Sequence, residues 1–335
     1  MKKILFVSVA FIFSINIFAQ KITPVNEKKL IKIEDSLKGL ALQIIQGRSA
    51  GERFAADSQF TKMFVRALKI PNSFYYRFDS LFTISRLAPK DSSFKIYTWQ
   101  MVINDNVIRQ HGAIQINKPD GSLQLFPLID KSDITINMAD TVGNNFGWIG
   151  AVYYRLIETQ FSGKKYFTLL GYDENNIRSN KKIVEVLSFE NGQPVFGSAQ
   201  IYYPKSSTAQ NNTRRLILEY KKNASPRLVY DADQNIIIYE HLISETGENQ
   251  KKYTYVGDGD YEGLQWKDGK WNHIEKIFTQ VTNQGDEPLP NPIRDGAGNV
   301  DRTKLKNNGL DVDETKEPAQ EKIKVTPSKV KIKKK

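Results

Sequence analysis

A series of about a dozen short strand-like runs between residues 94 and 278 most constrains how this chain folds. The runs are rich in β-branched and aromatic residues, and several alternate between apolar and polar positions. Turn residues interrupt them, and Ser162-Gly163, Asn191-Gly192 and Asp268-Gly269 are typical of two-residue hairpins. The pattern predicts a large antiparallel β body built as a sandwich, an open barrel or a meander.

Helical patterns precede the strands. Residues 26–47 carry apolar side chains at three- and four-residue spacing, which is typical of a helix with one buried face. A second helix is predicted from Ser49, in a capping-box arrangement with Glu52, to just before Pro71. A third, shorter helix is predicted over residues 73–81. Because the helices precede the strands instead of alternating with them, we expect an α+β protein whose helices pack on a sheet face.

The first nineteen residues have the pattern of a secretory signal peptide. Lys2 and Lys3 form a basic start, a mostly apolar stretch runs from Ile4 to Ile17, and Ala19 is a small residue at a cleavage position. The apolar stretch is shorter than the roughly 20 residues that span a bilayer, which favours cleavage over a retained anchor. No later run has the pattern of a membrane span. We therefore predict an exported protein that is periplasmic, associated with the outer membrane, or extracellular.

The formal net charge of +11 lies mainly at the two ends of the chain. Residues 322–335 contain seven lysines and no acidic residue, and the leader contributes two further lysines. The remaining chain is nearly neutral, which argues against a nucleic-acid-binding domain. Residues 281–335 contain no aromatic residue and are rich in proline, glycine and charge, so a disordered tail is predicted. Its lysines are candidates for contact with a polyanion such as lipid headgroups.

These patterns divide the chain into four predicted parts. They are a signal peptide (1–19), an N-terminal helical region (20–82), an antiparallel β domain (83–280) and the lysine-rich tail (281–335). The 335-residue chain contains no cysteine, which excludes disulfides, zinc–thiolate sites and a cysteine nucleophile. A chain of this length can be held together by its hydrophobic core alone.

Sequence motifs for common catalytic chemistry are missing. The three histidines, His111, His241 and His273, are scattered and lack the spacing of metal ligands. There is no P-loop, no dinucleotide-binding glycine motif and no nucleophile elbow. We therefore predict no cofactor and favour a protein that is not an enzyme. Pairs of catalytic carboxylates are assembled by the fold and leave no local spacing, so a hydrolase using Asp and Glu residues stays the alternative.

Aromatic residues on or beside the strands are the first candidate ligand site. Exposed aromatic rings on a sheet can stack on sugars or on the surface of a partner. The candidates are Trp99, Tyr154, Tyr203, Trp266 and Trp271. The alternative interpretation is that these rings fill positions in the sheets, where aromatic residues are favoured.

A second candidate site is a calcium-loop pattern. Asp258, Asp260 and Glu262 occupy positions one, three and five of such a loop, and Gly263 occupies position six. Position twelve, where the loop needs a bidentate Glu, is Gly269. The alternative interpretation is that the Asp and Gly residues satisfy backbone groups in turns at strand ends.

The chain resembles uncharacterised exported proteins of Gram-negative bacteria. The resemblance is carried by Phe94-Lys-Ile-Tyr-Thr-Trp-Gln100, Tyr166-Phe-Thr-Leu-Leu-Gly-Tyr-Asp173 and Pro194-Val-Phe-Gly197, and covers roughly residues 75–280. No activity is attached to these proteins, so the resemblance implies export and a β body but no catalytic residue. The leading hypothesis is an exported, non-enzymatic, β-rich binding or structural protein of the cell envelope. Its expected partner is an envelope component or a glycan.

Overall fold

The computed structural model describes residues 22–104, 106–204 and 212–277. The predicted signal peptide and lysine-rich tail lie outside the described residues. The described residues belong to one compact unit and form two N-terminal helices followed by a large, mainly antiparallel β body, which confirms the predicted α+β class. Among them, no helix is long and apolar enough to cross a membrane.

The chain contains two α-helices and fourteen strands in its described part. The helices are α1 (Pro24–Gln46) and α2 (Ala50–Leu68). The strands are β1 (Ser85–Leu87), β2 (Phe94–Asn104), β3 (Val107–Ile116), β4 (Gln124–Ile129), β5 (Val152–Phe161), β6 (Lys164–Asp173), β7 (Ser179–Glu190), β8 (Gln193–Phe196), β9 (Ile201–Tyr202), β10 (Arg215–Lys221), β11 (Leu228–Asp231), β12 (Ile236–Ser244), β13 (Tyr255–Lys267) and β14 (Lys270–Ile274).

The two helices begin and end close to where the sequence predicts. Ser49 caps α2, because its side chain accepts a hydrogen bond of 3.2 Å from the backbone N–H of Glu52. The Glu52 carboxylate in turn accepts from the backbone N–H of Arg48, one residue before the cap. The predicted third helix is wrong: only the 3-10 turn Ser73–Tyr75 forms. Phe78 has a left-handed backbone with φ of 53°, which no right-handed helix accommodates.

The strands form three sheets. The first sheet has the order β1-β2-β3-β4, and the middle sheet has the order β10-β7-β6-β5 with β8 added beside β7. The last sheet has the order β11-β12-β13-β14-β9. Every strand pair is antiparallel except β9 with β14, where Ile201 lies opposite Trp271. The chain therefore leaves the middle sheet after β8, adds β9 to the last sheet, and returns to the middle sheet with β10.

Hydrophobic cores lie between successive layers. In the first core, Phe64 of α2 packs edge-on against Tyr97 and Trp99 of β2, so the helices cover one face of the first sheet as expected. The second core lies between the first and middle sheets and includes Phe94 and Phe167, whose ring centroids are 4.8 Å apart. A third core lies between the middle and last sheets and buries residues of β6, β7, β10, β12 and β14.

The predicted two-residue hairpin turns are confirmed. Ser162 and Gly163 between β5 and β6 have φ values of 47° and 75°, and the other two predicted pairs repeat this pattern. Positive φ at both turn residues gives the turn twist that matches a hairpin, and it requires residues such as Asn, Asp or Gly. Between β8 and β9, Gly197 has φ of 73° and redirects the chain, so these two short strands do not form one continuous strand.

Candidate functional site

A polar cleft of about 520 Å³ opens between β10 of the middle sheet and β12, β13 and β14 of the last sheet. Six carboxylate side chains line it, together with two histidines, three tyrosines and two lysines. The carboxylates belong to Glu219, Glu240, Asp258, Asp260, Glu262 and Glu275. We call this feature the polar cleft.

A β-bulge shapes the cleft. Glu240 pairs with Tyr261 and Leu242 pairs with Gly257, so residues 258–260 of β13 lie opposite the single residue His241 of β12. Gly259, at the centre of the bulge, has φ of 88°, a conformation that favours glycine. Bulges of this kind bend a strand and redirect its side chains. Here the Asp258 carboxylate faces the His241 ring, with 2.7 Å between Oδ2 and Nδ1.

Glu262 is the centre of a hydrogen-bond network at the floor of the cleft. Its Oε2 atom accepts a hydrogen bond of 2.6 Å from the Tyr239 hydroxyl, and the same atom lies 2.6 Å from Nε2 of His273. Its Oε1 atom is 3.9 Å from Nε2 of His241, which links the two histidines through one carboxylate. Strand register explains the first contact, because Glu262 lies directly opposite Tyr239.

The carboxylates at the floor are ionised at neutral pH. Burial alone would raise the pKa of Glu262, but hydrogen bonds from His273 and Tyr239 outweigh it and the pKa is lowered. Burial also acts to raise the pKa of Asp258, but the interaction with His241 and the hydrogen bond from the backbone N–H of Asp260 together outweigh it, and the pKa is lowered. Burial raises the pKa of Tyr239 well above its ordinary value, as does the nearby Glu262, so this phenol remains a neutral donor.

Nδ1 of His273 is a buried polar atom beside Glu262 that has no hydrogen-bond partner in the described part of the chain, on a residue that is 8% exposed. The ring of Tyr203, a residue that is 5% exposed, lies 4.8 Å from the His273 ring, and the Tyr203 hydroxyl is hydrogen-bonded to Tyr239. Buried polar groups are normally satisfied by protein, water or ligand. His273 lines the polar cleft, so a molecule in the cleft can complete the hydrogen bonding of this nitrogen.

The aromatic platform predicted from the sequence does not form. Trp99 is buried in the core under the helices, where its indole N–H donates to Asp57. Trp271 is fully buried in the third core and donates to Thr168, so neither ring can stack on a surface ligand. Because large aromatic residues fill sheet positions well, the alternative interpretation is the correct one for these two.

The other three predicted aromatic residues have separate environments. Trp266 is partly buried against Trp271 and Tyr166. Tyr154 is 43% exposed, and its hydroxyl donates to the backbone carbonyl of Leu228. Among the five predicted residues, Tyr203 is the one that lines the polar cleft.

The twelve-residue calcium loop that the sequence pattern suggests does not form in the described structure. Asp258, Asp260 and Glu262 lie on β13, in a bulged strand and not in a twelve-residue loop. Each carboxylate lies near a basic group: Asp260, for example, is 3.5 Å from the ammonium group of Lys276. In the chain as described, no group of three or more His, Asp or Glu side chains is arranged to hold a metal ion. The sequence pattern nevertheless marked three residues that line the cleft.

Sequence reasoning missed most of the site. His241, His273 and Tyr239 lie in strand-like runs that look like ordinary sheet, and their spacing carries no motif. The bulge that turns Asp258 toward His241 depends on Gly259, which the sequence presents only as one of several turn residues. A signal was present in the density of acidic residues along 258–262, but it gave no indication of the histidines on the neighbouring strands.

Comparisons with known proteins add no relative: no protein family, curated protein or solved structure matches the chain. The resemblance to uncharacterised exported proteins therefore stays a prediction.

Proposed function

We propose that this protein is an exported binding protein of the cell envelope, without catalytic activity, and that a hydroxyl-rich glycan occupies the polar cleft. The observation that carries the proposal is the network at the cleft floor, where Glu262 joins His273 and Tyr239 and the buried Nδ1 atom of His273 is left without a partner among the described residues. Ionised carboxylates and phenol oxygens accept hydrogen bonds from hydroxyl groups. The cleft volume of about 520 Å³ is within the range of small-ligand sites.

The electrostatics of the floor favour binding over hydrolysis. Hydrolysis of a glycosidic bond by two carboxylates needs one of them protonated as a general acid, which requires a raised pKa. Asp258 and Glu262, the two carboxylates bonded to the histidines, instead have lowered pKa values. A hydrolase remains the second candidate because carboxylates converge in the cleft, and a hydrolase would release soluble sugar from a bound polysaccharide.

Co-sedimentation with insoluble polysaccharides tests the proposal. The full mature chain is mixed with chitin, cellulose or purified peptidoglycan at moderate salt, and the bound fraction is measured. We expect retention on at least one of them, and at least a tenfold loss of affinity for Glu262→Gln, which removes the central charge. Asp133→Asn is the control, because Asp133 forms an exposed ion pair outside the cleft.

Two results would contradict the proposal. One is retention on none of the three polysaccharides, or equal retention of the Glu262→Gln variant. The other is a steady release of soluble reducing ends during incubation, which would identify the hydrolase.

The export part of the proposal has its own measurement. It is supported by the basic, apolar and small-residue pattern of residues 1–19. Fractionation of cells producing the full chain, followed by N-terminal sequencing, is expected to yield an exported protein that begins near Gln20. Recovery of the unprocessed chain in the cytosolic fraction would refute export.

A further inference from the structure

We infer that the polar cleft selects a glycan that carries free amino groups, with a protonated amine bound among its carboxylates. This inference rests on the proposed function and specifies the chemical class of the ligand. The shared chemistry is a primary ammonium group displayed beside hydroxyl groups, as in an amino sugar that lacks N-acetylation.

Acidic side chains outnumber lysines in the lining of the polar cleft. Six carboxylates face two ammonium groups around one cleft. Three of the carboxylates, those of Glu219, Glu240 and Glu275, have no basic side chain at ion-pair distance among the described residues. Carboxylates lining one cleft with low-dielectric walls reinforce each other's field and attract cations. A neutral ligand would leave this excess charge uncompensated, whereas an ammonium group would balance part of it.

The two lysines of the cleft are already engaged and exposed. The ammonium group of Lys276 is 3.5 Å from Asp260, and that of Lys252 lies 4.2 Å from the centre of the Tyr255 ring. Neither contact involves Glu240 or Glu275. The cleft therefore keeps an unbalanced negative charge after its internal pairs are formed.

The hydrogen-bonding groups of the floor point to the same ligand. The Tyr239 hydroxyl donates to Glu262, and His273 shares its Nε2 proton with that carboxylate, so these groups are already engaged. The Glu240 carboxylate is held by a single backbone N–H, that of Arg227. What the cleft presents to a ligand is mainly acceptor oxygens, and an ammonium group supplies three donors with no acceptor.

The buried Nδ1 atom of His273 is independent evidence that a ligand belongs here. It is not part of the acidic cluster, yet it lies at its floor on a residue that is more than nine-tenths buried. In the tautomer that donates from Nε2 to Glu262, Nδ1 is unprotonated and can accept a hydrogen bond from an amine or hydroxyl group. A hydroxyl-bearing amine therefore satisfies the carboxylates and this nitrogen together.

A matched pair of sugars tests the inference. Isothermal titration calorimetry at pH 7.0 compares the tetramer of glucosamine with the tetramer of N-acetylglucosamine, which differ only in acetylation of the amine. We expect the glucosamine tetramer to bind at least tenfold more tightly, which corresponds to about 1.4 kcal/mol. The preference should decrease as NaCl is raised from 50 to 300 mM, since salt screens charge interactions.

Two variants locate the preference in the cleft. Glu240→Gln and Glu275→Gln are each expected to reduce the ratio of the two affinities to below about threefold, because each removes an unpaired charge. Glu275 is exposed, so its variant is expected to fold, and thermal melting checks both. Asp133→Asn, outside the cleft, is expected to keep the wild-type ratio.

The outcomes separate this inference from the proposed function. Equal or tighter binding of the acetylated tetramer would overturn the inference and leave glycan binding intact. Binding of neither tetramer at millimolar concentration, in a protein that also fails to bind polysaccharide, would overturn both. Tetralysine and spermine supply the amine without the sugar, and tighter binding of either than of the glucosamine tetramer would overturn the assignment to a glycan.

Discussion

The buried ion pair between Arg215 and Glu185 offers the sharpest test of how this protein is held together. Both side chains are fully buried between the first and middle sheets, with 2.7 Å between Nε and Oε2. The other oxygen of Glu185 accepts from the Tyr153 hydroxyl, and Nη1 of Arg215 donates to the backbone carbonyls of Met138 and Thr141. Arg215 thus neutralises a buried charge and ties the chain between β4 and β5 to the middle sheet.

Arg215→Met keeps most of the side-chain volume but leaves Glu185 charged, buried and without its counter-ion. Removing one partner of a buried pair typically costs about 3–5 kcal/mol. The lost hydrogen bonds to two backbone carbonyls place this case toward the upper end, since bonds to charged groups contribute about 1.5–3 kcal/mol each. We expect a loss of about 5 kcal/mol in the free energy of unfolding.

The assay is urea unfolding at 25 °C and neutral pH, followed by tryptophan fluorescence and by circular dichroism to check two-state behaviour. The same substitution at an exposed pair, Arg109→Met, is the matched control, because Arg109 lies 2.8 Å from Asp133 at the surface. Surface pairs contribute about 0–1 kcal/mol, so this control should change little.

A double variant separates charge from packing. In Arg215→Met with Glu185→Gln, no uncompensated charge remains, and the amide can still accept from Tyr153. The double variant should therefore be at least about 2 kcal/mol more stable than the sum of the two single losses predicts. A loss below about 1 kcal/mol for Arg215→Met, or strict additivity in the double variant, would refute the reasoning.

Three further predictions concern backbone conformation and charge, and each is tested by measuring the free energy of unfolding in urea. Gly39→Ala should stabilise the protein by about 1 kcal/mol, because Gly39 lies in the exposed middle of α1 with open space around the new methyl group. Gly192→Ala should destabilise it, because Gly192 has φ of 75°. Effects of the opposite sign would contradict this. Because folding lowers the pKa of Glu262, its ionised carboxylate stabilises the fold above about pH 4.5, and this stabilisation is lost as the pH falls through the lower pKa of the folded state. Glu262→Gln should therefore lose less unfolding free energy than wild type on acidification. An identical dependence of stability on acid pH in both proteins would contradict this. Burial lowers the pKa of Lys95 to about 8, so between about pH 8 and 10.5 the unfolded chain binds more protons than the folded chain. The stability of wild type should therefore rise over this pH range relative to that of Lys95→Met. A difference in stability between the two proteins that does not change with pH would contradict this.

The parts of the fold that the sequence predicts well are those that depend on local patterns. The Ser49 cap, the apolar stripe of α1 and the hairpin residues Asn191-Gly192 act over a few neighbouring positions, so they can be recognised without knowing the fold. The third helix fails because Phe78 adopts a left-handed backbone that tertiary packing imposes: its buried ring packs edge-on against Phe64 of α2.

The candidate site was beyond sequence reasoning for a different reason. His241 and His273 come from separate strands and meet through Glu262 of the strand between them, which depends on strand order and register. The parallel placement of β9 brings Tyr203 to the same floor, and no local pattern predicts that pairing. The residue types along β13 were enough to predict Asp258 and Glu262 as candidates, but strand order and register determine which histidines they contact.

The parallel pairing of β9 with β14 also sets the order in which the molecule can be completed. The helices and the first sheet contact one another and can pack as soon as the chain up to Ile129 is available. Ile201, by contrast, must wait for Trp271 before β9 has a partner in the last sheet. Tyr203 and His273 therefore meet in one of the final steps, and domains synthesised from the N-terminus assemble in that order. A chain interrupted before residue 270 would bury much of its core yet have no finished cleft, because β14 and His273 would be missing from the last sheet.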